Sequence, residues 1–125
     1  MANNQPNLTR KKNQIWENLL AFHLRTHGLD KYFKREVRWH PTRQWRFDFA
    51  DSKNKVAIEV QGGTFAKGKQ GHNWGPQIMK DHEKYNQAQF HGWVIFQFTD
   101  RPIRDLSAID LLVMYYQQKI KVENE

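Results

Sequence analysis

The sequence predicts an α/β fold in which a mixed β-sheet is flanked by helices, in the order αβββαβα. Short apolar or alternating segments are typical of strands, whereas longer segments with a 3.6-residue apolar period are typical of helices, and both kinds are present. The 125 residues suit one domain and leave no room for a second. We therefore expect a single domain over 1–125, frayed at 1–6 and 123–125.

The first predicted element is a helix between Thr9, which suits its N-cap, and Gly28, which suits its end. One broad arc of this helix is apolar, so we expect it to pack against the sheet. The arc contains Ile15, Trp16, Leu19, Leu20, Phe22 and Leu24. Glu17 falls at the edge of this arc rather than on the solvent face.

Three strands are predicted next, over 32–39, 45–49 and 56–60, because these segments are rich in aromatic and β-branched residues. The second strand alternates three aromatic residues with polar ones, so we expect Asp48 on the face opposite the aromatics. A turn over 51–55 makes the second and third strands an antiparallel hairpin. This pairing brings Glu59 near Asp48.

The second half of the chain begins with a glycine-rich, basic segment at 62–77, which predicts a mobile loop. A helix is then predicted over 76–90, closed by Gly92, followed by an apolar strand of parallel type over 93–98. Ser107 suits the N-cap of a last helix that covers the sheet.

Composition narrows the class of protein. Lys and Arg number 20 against 13 Asp and Glu, and the resulting net charge of +7 indicates a polyanionic partner such as nucleic acid or, alternatively, a basic surface that only keeps the protein soluble. The chain has no cysteine, which excludes disulfides and thiol catalysis and fits the cytoplasm. No apolar run is long enough for a membrane span, so we expect no membrane partner.

Carboxylates in the hairpin suggest a metal site. Hard cations such as Mg²⁺ take oxygen ligands, and Asp48 and Glu59 would supply them across the hairpin. The Val60 carbonyl and Glu17 are further candidate ligands. Glu59 lies inside the apolar segment VAIEV, where a carboxylate requires a partner or a metal. Alternatively, Glu17 only pairs with a surface lysine.

The helix with Glu17, Asp48, the segment EVQGG at 59–63, DHEKYNQA at 81–88 and GWVIFQFT at 92–99 together resemble the PD-(D/E)XK nuclease superfamily. Within it, the chain is similar to small phage and bacterial members related to very-short-patch repair endonucleases and Holliday-junction resolvases. The resemblance implies a restriction-endonuclease-like core, Mg²⁺ or Mn²⁺ as cofactor, and DNA cleavage that leaves 5′-phosphate ends. It also implies a bacterial or phage-infected cell, and a homodimer if the chain resolves junctions.

The sequence departs from the family pattern at Gln61, which stands where the family has a lysine that orients or deprotonates the attacking water. Either Gln61 performs this task as a neutral amide or a lysine reaches the site from elsewhere. Lys84 is the candidate, because Gln77, Asp81, Lys84 and Ala88 share one helical stripe. Alternatively, Asp81 and Lys84 only form an i, i+3 pair on a solvated helix face. His72 is a candidate general base or phosphate contact, with a loop residue bonded to the backbone as the alternative.

Basic residues before and after the hairpin are the predicted DNA contacts, and we expect binding that weakens with salt. They are Lys34, Arg35, Arg38, Arg43, Arg46, Lys67 and Lys69. The closest alternative to a nuclease is a non-catalytic DNA-binding module of the same fold. A more distant alternative is a protein-interaction domain whose charge is incidental.

Overall fold

The computed structural model describes residues 8–61 and 75–125, with side chains over 14–61 and 81–125. The predicted order of helices and strands is confirmed, and one short helix is added between the last strand and the last helix. The elements are α1 (Leu8–Thr26), β1 (Lys34–Arg38), β2 (Arg46–Asp51), β3 (Val56–Val60), α2 (Gly75–Phe90), β4 (Val94–Phe98), α3 (Asp100–Arg104) and α4 (Ser107–Glu123).

The four strands form one mixed sheet in the order β1-β2-β3-β4. β2 runs antiparallel to β1 and to β3, whereas β3 and β4 are parallel, as expected when a helix connects them. Each residue of β3 is in register with a residue of β4, from Val56 beside Val94 to Val60 beside Phe98. β3 is therefore a central strand, and all its residues are buried, including Glu59.

Apolar layers cover both faces of the sheet. One layer joins alternate residues of β3 to α1, α3 and α4. Its buried members include Leu20, Leu24, Val56, Ile58, Val60, Ile103, Ile109, Leu112 and Tyr116. The other layer is smaller and joins Phe47 and Ala57 to Ala88 of α2. Because side chains alternate along a strand, Glu59 belongs to the face that α2 covers.

Two glycines end helices as the sequence predicts. Gly28 has a φ of 73°, its N–H donates to Arg25 O at 3.2 Å, and the following Leu29 N–H donates to Leu24 O at 2.8 Å. Gly92, with a φ of 87°, ends α2 through the same pair of contacts. Positive φ costs glycine little, so both stops follow directly from residue type.

Some expectations for the helices are wrong. Ile15 and Phe22 are 61% and 49% exposed, so the buried stripe of α1 is narrower than its apolar arc. Ser107 is the first residue of α4 rather than its cap, and Leu106, with a φ of 71°, occupies the cap position. Asp105 Oδ1 accepts hydrogen bonds from the Ser107 N–H at 2.9 Å and from its hydroxyl at 2.6 Å. At the C-terminus, the N–H of residue 125 donates to Val122 O at 3.2 Å.

Candidate functional site

β2 and β3 stop pairing through their backbones at Asp48 and Glu59, and carboxylates replace the ladder there. The regular pairs end at Phe49 beside Ile58. Beyond them, the Asp48 N–H donates to Glu59 Oε2 at 3.0 Å, and the Val60 N–H donates to Asp48 Oδ2 at 2.7 Å. Hydrogen bonds from both backbones therefore fix the positions of both carboxylates, which are close together as the hairpin predicted.

The edge strand β1 is distorted opposite Asp48. The paired residues Arg35 with Phe49 and Val37 with Phe47 lie on either side of Glu36, whose φ is 53°. A residue other than glycine in this left-handed region is strained, and such strain is concentrated at functional sites. The distortion coincides with the place where β2 and β3 separate.

At this irregularity, the side chains of β2 do not alternate regularly between the two faces of the sheet. Phe47 packs in the layer under α2, whereas Phe49 packs in the layer under α1. The expectation that Asp48 lies opposite all the aromatic residues of β2 is therefore wrong. A regular strand would keep residues two apart on one face, so the alternation is broken between Phe47 and Phe49.

Three carboxylates converge at this position, from Glu17 of α1, Glu36 of β1 and Asp48 of β2. Their nearest oxygens all lie within 4.8 Å of one another, and Glu17 is only 7% exposed. Glu17 and Asp48 were predicted for this site, whereas Glu36 was missed. Glu59 is not a member of this group of three, and its oxygens accept hydrogen bonds from the Asp48 N–H and from Lys84.

Burial and like charge disfavour ionisation of Asp48. Burial of the carboxyl group, followed by the charge of Glu59, raises the pKa of Asp48 to about 7, although the Val60 N–H opposes the shift. On the other side, Arg35 Nη2 lies 3.9 Å from Glu17 Oε1, and Arg35 Nη1 donates to Asn18 Oδ1 at 2.9 Å. Arg35, predicted as a DNA contact, is therefore placed beside the carboxylates.

Lys84 lies against the site, as its position on the helical stripe predicted. Its ammonium group donates to Glu59 Oε1, and its side chain is only 16% exposed. The same nitrogen lies 5.4 Å from the centre of the Phe47 ring and 5.6 Å from that of Tyr85. A helix from the other side of the sheet thus brings a largely buried cation to the predicted carboxylate.

Gln61, at the position of the family lysine, is hydrogen-bonded to residues of β4 and α2. Its Nε2 donates to Gln97 Oε1 at 2.8 Å and to the Tyr85 hydroxyl at 3.2 Å, and its backbone N–H donates to Phe98 O at 2.8 Å. These contacts hold the end of β3 to β4 and α2. The Val60 carbonyl remains a predicted metal ligand, and the Val60 N–H donates a hydrogen bond to Asp48 Oδ2.

The residues predicted to contact DNA differ in their environments. Lys34, Arg38 and Arg46 are exposed on β1 and β2. Arg43 pairs with Glu83 Oε1 at 2.6 Å instead of being an isolated charge. The predicted site residues His72, Lys67 and Lys69 lie outside the described residues.

Sequence patterns did not indicate Glu36, because it is a lone acid in the basic segment KREVR of an exposed edge strand. Its importance follows from a backbone conformation that residue type does not predict. The only available signal is its position opposite Asp48 once the register is known.

Comparisons with protein-family models, with curated proteins and with solved structures found no match for this chain. No helix in the described part of the chain has both the length and the apolar character needed to cross a membrane. What the protein does is therefore inferred from its own residues.

Proposed function

We propose that this chain is a Mg²⁺- or Mn²⁺-dependent endonuclease that hydrolyses DNA phosphodiester bonds, on a core of the PD-(D/E)XK kind. The observation that carries the proposal is the convergence of Glu17, Glu36 and Asp48 from three separate elements. Next to them, Glu59 accepts the Asp48 N–H and pairs with Lys84. Clustered carboxylates with a fixed ammonium group nearby are the groups that suit this hydrolysis.

The donor set fits a hard divalent cation. Three carboxylates offer oxygen ligands within 4.8 Å of one another, and their mutual repulsion is relieved by a positive ion. The raised pKa of Asp48 supports the same view, because its burial beside Glu59 makes a second negative charge unfavourable without such an ion. A bound Mg²⁺ would supply the charge that makes a water easier to ionise and a phosphate easier to attack.

Lys84 provides the protein's own positive charge. In the hydrolysis, a water oxygen forms a bond to phosphorus and the bond from phosphorus to the 3′ oxygen breaks. The 3′ oxygen takes up a proton, and the phosphate remains on the 5′ end. Negative charge on the phosphate grows during attack, and a fixed ammonium group stabilises it. Because the pair with Glu59 holds Lys84, little reorganisation is needed.

Gln61 is assigned a positioning role. Its amide nitrogen donates to Tyr85 and Gln97, which keeps the end of β3 in register with the neighbouring elements. It therefore supports the placement of Glu59, two residues before it, and Lys84 supplies the charge that the family lysine would carry.

DNA is the proposed partner because the chain carries a net charge of +7. Lys34, Arg38 and Arg46 are exposed on the two strands that carry Glu36 and Asp48. Phosphates that bind these side chains would lie along the same strands as the carboxylate site.

Cleavage of a DNA panel tests the proposal. The protein is incubated with end-labelled linear, nicked, mismatched and four-way DNA in Mg²⁺ and in EDTA, the products are separated on denaturing gels, and the complexes are separated on native gels. We expect cuts in Mg²⁺ alone, with 5′-phosphate and 3′-hydroxyl ends. Retarded but uncut DNA would favour a binding module of the same fold, and absence of binding at low salt would favour a protein-interaction domain.

A further inference from the structure

Aromatic side chains lead from the site to the protein surface. The buried Phe47 ring stacks on Trp39 with centres 4.8 Å apart and planes 4° apart. Trp39 in turn stacks on Trp45, with centres 5.8 Å apart and planes 20° apart. Lys84 Nζ lies 5.4 Å from the centre of the Phe47 ring. The series therefore begins beside the Lys84–Glu59 pair and continues to the partly exposed Trp45.

At the surface, the guanidinium group of Arg43 lies 4.0 Å from the centre of the Trp45 ring, and the Arg43 side chain is 48% exposed. The turn that carries it is held in place. His40 Nδ1 accepts the backbone N–H groups of residues 42 and 43, and Arg38 Nε donates to Arg43 O at 3.2 Å. Glu83 Oε1 holds the guanidinium at 2.6 Å. These contacts preorganise a planar, half-exposed group.

The chemistry of Arg43 favours contact with a base over contact with a phosphate. Glu83 already compensates the charge of Arg43, and its carboxylate repels a phosphate. The plane of the guanidinium is unaffected by this pairing, and guanidinium planes stack on nucleobases. Within a duplex, both faces of a base are covered by its neighbours. Only a base that has left the stack can occupy this position.

We propose that Arg43, held on Trp45, is a stacking platform for an unpaired base, so that the substrate is DNA with unpaired nucleotides near the bond that is cut. This inference rests on the proposed endonuclease function and specifies its substrate class. The aromatic series that links the platform to Lys84 keeps both within one rigid unit, so a base held at Arg43 also fixes the strand relative to the carboxylates.

Binding without catalysis tests the platform. Two labelled duplexes with identical ends, one of them carrying a central bulge of three thymidines, are titrated with protein in EDTA by fluorescence anisotropy. The parent is expected to bind the bulged duplex roughly tenfold more tightly than the perfect one, the scale of one stacked base. Arg43→Lys keeps the charge but loses the plane, and should bring this preference close to unity with little change in affinity for the perfect duplex.

Arg25→Lys is the matched control, because Arg25 also lies over an exposed aromatic ring, that of Phe22 at 5.5 Å, but on α1 across the sheet. It should keep the parent preference, while Trp45→Ala, checked for folding by thermal melt, should lose it. If Arg43→Lys retains the preference, or the parent shows none, the platform is wrong even when plasmid nicking in Mg²⁺ proves the nuclease. If the parent binds neither duplex and cuts no DNA, the proposed function fails as well.

Discussion

Asp48→Asn is expected to lower the single-turnover rate of DNA cleavage at saturating Mg²⁺ by about a hundredfold or more. Asparagine keeps an oxygen to accept the Val60 N–H, which lies 2.7 Å from Asp48 Oδ2, so the strand contact survives. The substitution removes one of the three charges that Glu17, Glu36 and Asp48 bring together. DNA affinity should persist, because no basic residue changes.

The same variant should be more stable than the parent in EDTA. The pKa of Asp48 is raised to about 7 by burial and by Glu59, whereas the pKa of an aspartate in the unfolded chain is about 4. Between these values the folded protein binds more protons than the unfolded chain, so this group's contribution to stability falls as the pH rises. Asparagine avoids that loss, and its advantage in Tm should therefore grow from about pH 4 to about pH 7.

Asp30→Asn is the matched control, because Asp30 is an exposed aspartate that does not belong to the group of three carboxylates. It should change neither the rate nor the Tm by a comparable amount. An Asp48→Asn protein that is folded and cuts at the parent rate would place the reaction at another site.

Lys84→Ala is expected to lose about a hundredfold in single-turnover rate, because a charge held on the folded scaffold stabilises the attacked phosphate. Lys84→Arg should recover only part of the rate, since its planar group does not reproduce the ammonium contact with Glu59. Adding Gln61→Lys to Lys84→Ala should restore some cutting, because Gln61 lies within hydrogen-bond distance of Tyr85, whose ring adjoins Lys84.

Lys55→Ala is the control for the loss of a lysine. Lys55 Nζ donates to the His91 carbonyl oxygen at 2.7 Å, so it too is anchored, but it takes no part in the carboxylate site. Its variant should cut at close to the parent rate, and Lys67→Ala should lose much less activity than Lys84→Ala. Cleavage by Lys84→Ala at the parent rate, with a normal thermal melt, would show that the positive charge of Lys84 does not contribute to cleavage.

Much of the architecture follows from residue type and spacing. Gly28 and Gly92 end helices because glycine tolerates positive φ, and the apolar segment at 56–60 is the central strand that its composition indicates. The proximity of Lys84 to Glu59 follows from helical spacing once α2 is known to cover that face.

The details of the site are less predictable, because they depend on one backbone irregularity. The left-handed conformation of Glu36 occurs where Phe47 and Phe49 turn to opposite faces, and a pattern of period two cannot signal that break. The exposure of Ile15 and Phe22 has a different cause, since apolar spacing in a helix does not show how wide a stripe its neighbours cover.

Nicking of supercoiled plasmid tests the central claim most directly. The parent protein and Asp48→Asn, purified side by side, are incubated with plasmid in Mg²⁺, in Mn²⁺ and in EDTA, and the open-circular product is followed over time. The carboxylate site predicts conversion by the parent in Mg²⁺ or Mn²⁺, none in EDTA, and a rate for Asp48→Asn lower by about a hundredfold. Equal conversion by both proteins, or by the parent in EDTA, would contradict a metal-dependent nuclease centred on Asp48.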